Sequence, residues 1–219
     1  MKGKFITFEG PEGGGKSTQI KELAAFLEAR GIPVLQAREP GGTRLGERVR
    51  GLLQDDTAGE PPSPRAEVLL FLASRAQLVA NVIVPALEKG VWVLCDRFDD
   101  STFAYQGYGR GFDLDALRCL DAFATGGLVP DLTLLLDLPP DVGFARLATR
   151  QAGEGSAPDR FEREARAFHE RLRAGFLELA GREPGRIAVI DAGQPRETVA
   201  GTVREMVAAR FGIGREATR

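Results

Sequence analysis

The segment Gly10-Pro11-Glu12-Gly13-Gly14-Gly15-Lys16-Ser17-Thr18 carries the Walker A spacing in full. Glycines let successive backbone N–H groups curl around one anion. A helix opening at the end of the loop adds its partial positive charge. In such loops the lysine, here Lys16, reaches the β- and γ-phosphates, and the hydroxyl of Ser17 can ligate Mg2+. A nucleoside triphosphate with Mg2+ is therefore the expected ligand. A chance glycine-rich turn would not also place Lys-Ser between a strand and a helix.

Arginines are spaced for a second anion. Arg38 precedes Glu39-Pro40-Gly41-Gly42-Thr43, Arg50 falls on the next helical stretch, Arg75 on a long one, and Asp96-Arg97 closes an apolar run. A charged pair ending a buried strand needs a partner or a ligand. Ligands of open parallel sheets sit at the carboxyl ends of the strands, so Arg38 and Arg97 are expected to face the glycine-loop cleft. His169 is the one histidine and is expected at the surface. A hydroxyl acceptor requires a positioned base. A phosphate acceptor, with a second pKa of about 6, arrives already ionised. Few bases beside many arginines favour a phosphate acceptor.

These residues need a scaffold of short apolar runs alternating with helical periods. Strands are expected at Phe5–Phe8, Val34-Leu35, Val91–Cys95, Leu132–Leu138 and Ile187–Ile190. Ile20, Leu23, Ala24 and Leu27 follow helical spacing up to Gly31, and Leu45, Val49, Leu52 and Leu53 mark a second helix. A loop is expected over Asp55–Pro64, then a long helix from Arg65 to Lys89 that Pro85 kinks or ends. Asp113–Ala124 also reads as helical. The alternation argues for an α/β domain with a five-stranded parallel sheet covered on both faces. Gln151–Pro158 reads as a flexible insertion between helices, and Gly212–Arg219 as a frayed tail.

The chain has 219 residues, 43% hydrophobic and 27% charged, enough for one large α/β domain. Its 29 basic and 31 acidic residues leave a net charge of −2, a poor match to nucleic acid or a membrane surface. No apolar run is expected to span a bilayer. Cys95 and Cys119 are expected in apolar surroundings, and two cysteines fit a reducing compartment. No targeting segment is read at Met1-Lys2-Gly3-Lys4, so a cytoplasmic location is expected. No Asn-Lys-x-Asp base-reading segment of a Ras-like switch occurs, and a motor ATPase needs more chain.

Several segments together resemble thymidylate kinases. They are Phe-Glu-Gly-Pro-Glu-Gly-Gly-Gly-Lys-Ser-Thr, Arg-Glu-Pro-Gly-Gly-Thr, Leu-Phe-Leu-Ala-Ser-Arg, Asp-Arg-Phe with Ala-Tyr-Gln-Gly, and a later Asp-Arg-Phe-Glu. The similarity covers residues 3 to 211, in the family's order. It implies a three-layer P-loop NTPase fold, one kinase domain over 1–211, a short mobile lid at about 146–163, and a homodimer. The apolar surface of the Arg65–Lys89 helix also points to a dimer. The implied reaction is ATP + dTMP → ADP + dTDP. Kinases for other nucleoside monophosphates, and a P-loop nucleotide switch, are the alternatives.

The resemblance also implies roles. Glu12 would contact the 3′-hydroxyl of the dTMP sugar, and Arg50 and Arg97 would hold its phosphate, with Arg38 assisting. Phe71 would stack on thymine, Arg75 would reach a thymine carbonyl, and Thr102 would lie at the base edge. Tyr105 would crowd the sugar 2′ position. Asp96 would lie near Mg2+ with Ser17, and Glu39 lies in this region too. None of Pro11, Glu12, Gly13 and Gly14 is basic, so cationic charge over the transferring group must come from elsewhere. Arg150 and Arg160 of the lid are the expected source, with Arg146 close behind and Arg163 solvated. Lys16, Arg97, Arg150, Arg160 and Glu12 form the expected catalytic set. The Asp191-Ala192-Gly193 segment is expected near adenine, and Glu39-Pro40 is a candidate cis bond.

Overall fold

All five residues of Phe5–Glu9 are buried, as a strand covered on both faces requires. In the computed structural model this strand, β1, is the centre of a five-stranded sheet ordered β2-β3-β1-β4-β5. The others are β2 (Val34–Arg38), β3 (Trp92–Asp96), β4 (Leu132–Asp137) and β5 (Ile187–Asp191). Every pairing is parallel, with Phe8 beside Asp96 and Glu9 beside Leu135. The structure describes residues 2–54, 60–154 and 159–214.

The helices are α1 (Lys16–Glu28), α2 (Arg44–Gln54), α3 (Pro64–Leu78), α4 (Val84–Glu88) and α5 (Asp99–Thr102). After them come α6 (Leu114–Thr125), α7 (Pro140–Glu154), α8 (Arg166–Arg182) and α9 (Arg196–Phe211). Strand alternation feeds two cores. Ile6 and Phe8 pack with Leu23 and Leu27 of α1 and Val203 of α9. On the opposite face Phe5, Val93 and Cys95 meet Leu78 and Ile83, and Leu135 meets Leu172 and Phe176 of α8. The result is a three-layer α/β fold. Local signals agree with it. Ser63 and Asp113 cap α3 and α6 by accepting from the N–H groups of Ala66 and Ala116, and Gly126 ends α6 in the left-handed region.

Departures from the sequence expectations have physical reasons. β2 runs on to Arg38 because it pairs with β3 as far as Asp96. Between α3 and α4 the helix widens into a π-helical turn at Val79–Ile83, and Pro85 falls in the first turn of α4, where its missing N–H costs least. Contrary to expectation, Pro64–Glu88 is by length and composition apolar enough to cross a bilayer. Its Val68, Leu72, Leu78 and Ile83 are core residues, however, and its Arg75 makes two buried ion pairs. Gln151–Glu154 continues α7 rather than opening a loop. Gly155–Pro158 of the expected insertion, Asp55–Gly59 of the expected loop and Arg215–Arg219 of the tail lie outside the described residues. Cys119 is exposed rather than set among apolar neighbours. His169 is also a correction, being 2% exposed. Its ring meets Phe144 and Phe168 edge-on at 4.9 and 5.6 Å, because α8 turns it inward onto α7.

Candidate active site

β1 ends in Glu9, and the chain then needs a turn too tight for a side chain. Gly10 has φ 128°, and a Cβ there would lie 2.4 Å from the carbonyl oxygen of Leu136. Gly13, at φ 73°, would meet Gly143 of α7 at 2.5 Å. The glycine loop therefore fits directly against β4 and α7. Lys16, in the first turn of α1, donates from Nζ to the carbonyls of Gly10 and Pro11, each at 3.0 Å. Burial and the nearby Arg97 lower its pKa, against the pull of Glu12 and Asp96. Ser17 Oγ donates to Asp96 Oδ2 at 2.7 Å, joining the loop to the end of β3.

Beside β1, the end of β3 presents Arg97 with φ 68°, the only non-glycine residue with positive φ among those described. Strain of this kind persists only where neighbours hold it. Arg97 Nη2 donates to Glu12 Oε1 at 2.6 Å, and Nη1 donates to the carbonyl of Gly10 at 3.0 Å. The Tyr105 hydroxyl donates to the same Glu12 oxygen at 2.7 Å. Burial alone would raise the Glu12 carboxyl, but Arg97, Lys16 and Tyr105 outweigh it and hold the pKa at about 2. Glu12 is thus a fixed carboxylate and a poor general base.

Glu9 is a functional candidate that sequence reading missed. One of its oxygens accepts from the N–H of Phe98 at 2.7 Å and of Ser101 at 3.3 Å, and the other from Ser101 Oγ at 2.6 Å. It therefore clamps the backbone immediately after Arg97. Burial, then Asp100, raise its pKa to about 7. The signal was present, since an acid ending an apolar strand demands a partner as much as Asp96-Arg97 does.

One cleft of about 600 Å³ joins these groups. Glu12, Gly13, Gly14, Gly15, Lys16, Ser17 and Thr18 line it, together with Asp96 and Arg97. So do Arg38, Arg50, Phe71, Arg75, Thr102 and Tyr105. Gly10 and Pro11 take part through their carbonyls rather than as lining. Arg50 Nη1 donates to the Pro40 carbonyl at 3.0 Å, next to the cis Glu39-Pro40 bond. Arg38 is paired with Glu47 at 2.7 Å.

Arg75 is fully buried, and all three of its guanidinium nitrogens donate to protein acceptors. It donates to Glu39 Oε2 from Nε and Nη2, to Asp121 Oδ1 from Nη1, and from Nη2 also to Thr102 Oγ1 and the carbonyl of Phe98. Burial would lower its pKa, but Glu39 and Asp121 raise it instead. Glu39 thus anchors Arg75. Breaking such a buried network is costly because it strands a charge.

Three of the arginines expected in the lid differ in their surroundings. Arg146 and Arg150, on α7, line the cleft. Arg146 Nη1 donates to the Ala192 carbonyl at 2.9 Å, within the segment expected near adenine. Arg150 is paired with Glu162 at 3.2 Å. Arg160 is not part of the lining. Its guanidinium donates to Glu67 Oε2 at 2.6 Å and to the carbonyl of Leu53 at 3.0 Å. Phe161, a lining residue that the sequence reading held within the Asp-Arg-Phe-Glu segment without giving it a role, lies 5.8 Å from both Phe71 and Tyr105.

Comparison with known proteins gives this arrangement a family. The family model described as thymidylate kinase matches residues 8–203. The chain belongs to the thymidylate kinase family. A thymidylate kinase of Desulfovibrio desulfuricans is 56% identical over 207 residues, covering 94% of this chain and 95% of that one. Those of Carboxydothermus hydrogenoformans and Gloeobacter violaceus are each 53% identical, over 91% and 93% of this chain and 94% and 93% of theirs. Thymidylate kinase similarity therefore spans both the glycine loop and the arginine-rich wall of the cleft.

Proposed function

We propose that this chain is a dTMP kinase, transferring the γ-phosphoryl group of ATP to dTMP and releasing dTDP and ADP. The observation that carries the reading is one cleft holding the glycine loop and Lys16 together with Arg50, Arg97 and the Phe71–Tyr105 wall, in a chain of the thymidylate kinase family. Guanidinium groups bind phosphate oxygens in pairs, and aromatic faces suit a base. In this reading Arg50 and Arg97 hold the acceptor phosphate with Arg38 at the rim. Phe71 faces thymine, Thr102 and the anchored Arg75 form the base-edge wall, and Tyr105 closes the sugar side. Glu12 accepts from the sugar 3′-hydroxyl. The acceptor phosphate is its own nucleophile, which agrees with a Glu12 too acidic to take a proton.

Oxygen donors suit magnesium, and Ser17 and Asp96 lie in contact. Mg2+ usually takes one or two protein ligands and fills its shell with phosphate oxygens and water. A third protein ligand is not required, and no cluster of three or more His, Cys, Asp or Glu that could hold a metal occurs among the described residues. When bound, the ion would offset charge on the phosphates. Lys16 does the same from within the loop, and Arg146 and Arg150 from α7. The lid at about 146–163 belongs to one kinase domain over 1–211, and it excludes water that would otherwise hydrolyse ATP.

ADP release at fixed MgATP, measured with a panel of nucleoside monophosphates, tests the reading. Release is expected to depend on an acceptor and to be fastest with dTMP. Faster release with UMP or CMP would indicate another monophosphate kinase, and release without any acceptor a switch.

Outside the cleft, α3 and α6 pack together and expose Leu69, Leu120 and Phe123, the last at 91%. An apolar patch of this kind marks an interface, and we assign it to a homodimer. Phe123→Glu is expected to halve the mass measured by sedimentation. A wild-type chain that sediments as a monomer would remove the assignment. Free Cys95 and Cys119 suit a reducing, cytoplasmic setting.

A further inference from the structure

Glu67 lies in the first turn of α3, 1% exposed and outside the lining of the cleft. Such a carboxylate is held only by donors that satisfy it. Its Oε1 accepts from Gln106 Nε2 at 2.9 Å and Arg110 Nε at 2.7 Å. Its Oε2 accepts from Arg110 Nη2 at 3.0 Å and Arg160 Nη2 at 2.6 Å. Arg110 Nη2 also donates to Glu164 at 2.9 Å, so two acids and two arginines balance. Gln106 belongs to the π-helical turn Phe103–Gly109 that carries Tyr105.

The short arm Asp159–Glu162, which carries Arg160, also reaches α2. Arg160 Nε donates to the carbonyl of Leu53, and Gln54 Nε2 donates to Asp159 Oδ2 at 3.2 Å. One turn earlier on that helix stands Arg50. Two residues after Arg160, Glu162 accepts from Arg150 Nη2 at 3.2 Å and from Gln151 Nε2 at 2.9 Å. Between them Phe161 packs on Phe71 and Tyr105, with the Arg160 guanidinium 4.5 Å above its ring. An unbroken chain of contacts thus runs from the wall assigned to the acceptor base to the arginine assigned to the transferring phosphate.

We propose that Glu67 is a positioning residue which, by gripping Arg160, fixes the Asp159–Glu162 arm on the acceptor side and so sets the place of Arg150. Arg160 is then an anchor of the arm and not a transition-state cation. The inference deepens the dTMP kinase reading and rests on it. Charge-assisted bonds to a buried carboxylate are strong and directional, and a displacement of about 1 Å in a reacting group can cost on the order of 10²-fold in rate.

The test is a double-mutant cycle of Glu67→Gln and Arg160→Ala, read as kcat, KM for dTMP, ADP release without dTMP, and thermal midpoint. Glu67→Gln keeps the shape and removes the charge. Each single variant is expected to lower kcat by roughly 10- to 100-fold. The double variant is expected to fall no further than the worse single one, since both cut the same link. Arg160→Lys, which still offers Glu67 a cation, should recover part of the loss. Independent, multiplying effects would overturn the proposal. So would a large kcat loss in Arg160→Ala with Glu67→Gln unchanged or faster, the pattern of an arginine that works at the phosphate. If Glu67→Gln does not fold, Arg160→Ala in an Arg150→Ala background decides instead: an anchor that acts through Arg150 adds no further loss there, whereas a second cation at the phosphate multiplies the loss and overturns the proposal. Wild-type protein without dTMP-dependent ADP release would overturn the kinase reading itself, and the inference with it.

Discussion

Arg150→Ala is expected to lower kcat by about 10³-fold, the scale of a transition-state arginine, while dTMP binding changes little. Charge on the transferring phosphoryl group peaks during transfer, so a cation aimed there acts on kcat rather than on ground-state binding. The glycine loop supplies only Lys16, because Pro11, Glu12, Gly13 and Gly14 carry no positive charge. Arg150 lines the cleft from α7 with its side chain 54% exposed, and Glu162 holds it at 3.2 Å. The pair is open to water at its arginine end, although the Glu162 side chain is 10% exposed, and such pairs add little to stability, so the thermal midpoint should fall far less than turnover does. Single-turnover measurement at saturating ATP and dTMP, with dTMP affinity taken separately, separates the two effects. Wild-type turnover in Arg150→Ala would exclude it as the source of that charge. Arg146 would then remain the cleft-lining arginine of α7, since Arg160 is committed to Glu67.

The unequal standing of Arg150 and Arg160 shows where sequence reasoning reaches its end. Both arginines sit beside the insertion, and spacing alone treats them alike. What separates them is Glu67, about ninety residues away in the chain and brought to the lid only by folding. The strands, by contrast, were legible because runs such as Leu132–Leu138 are buried on both faces and need no distant partner to declare them. The glycine loop was legible because its chemistry lies within nine consecutive residues. Two features escaped for the same reason as Glu67. Phe103–Gly109 winds as a π-helical turn that no periodicity announces, and His169 is buried only because α7 packs over it. Arg75 shows a milder form of the limit. The resemblance proposes it for a thymine carbonyl, but its buried pairing with Glu39 and Asp121 could not be read from the sequence.

Arg97→Ala should lower kcat/KM for dTMP by about 10²- to 10³-fold, because it removes an acceptor-phosphate donor and strands Glu12 at once. Arg97 is held at φ 68° by the Glu9 clamp on Phe98 and Ser101 just after it, so its guanidinium enters the cleft already oriented. Lysine at this position should restore little, since a single ammonium cannot bridge Glu12, the Gly10 carbonyl and a phosphate in one plane. The substitution also leaves a mark that does not depend on catalysis. In the wild type the Glu12 pKa is about 2, below its ordinary value of 4.5. Its charged form therefore stabilises the fold above the ordinary carboxylate range, and that contribution is lost as the pH falls towards 2. Without Arg97, the strongest influence lowering Glu12, burial pushes the carboxyl back up. The acid-side loss of stability should then become shallower in Arg97→Ala than in the wild type. Unfolding measured by denaturant between about pH 2 and 5 reads this difference directly. Parallel stability curves would mean that Arg97 does not hold Glu12 ionised, and the reading of Glu12 as a fixed carboxylate would fail with it.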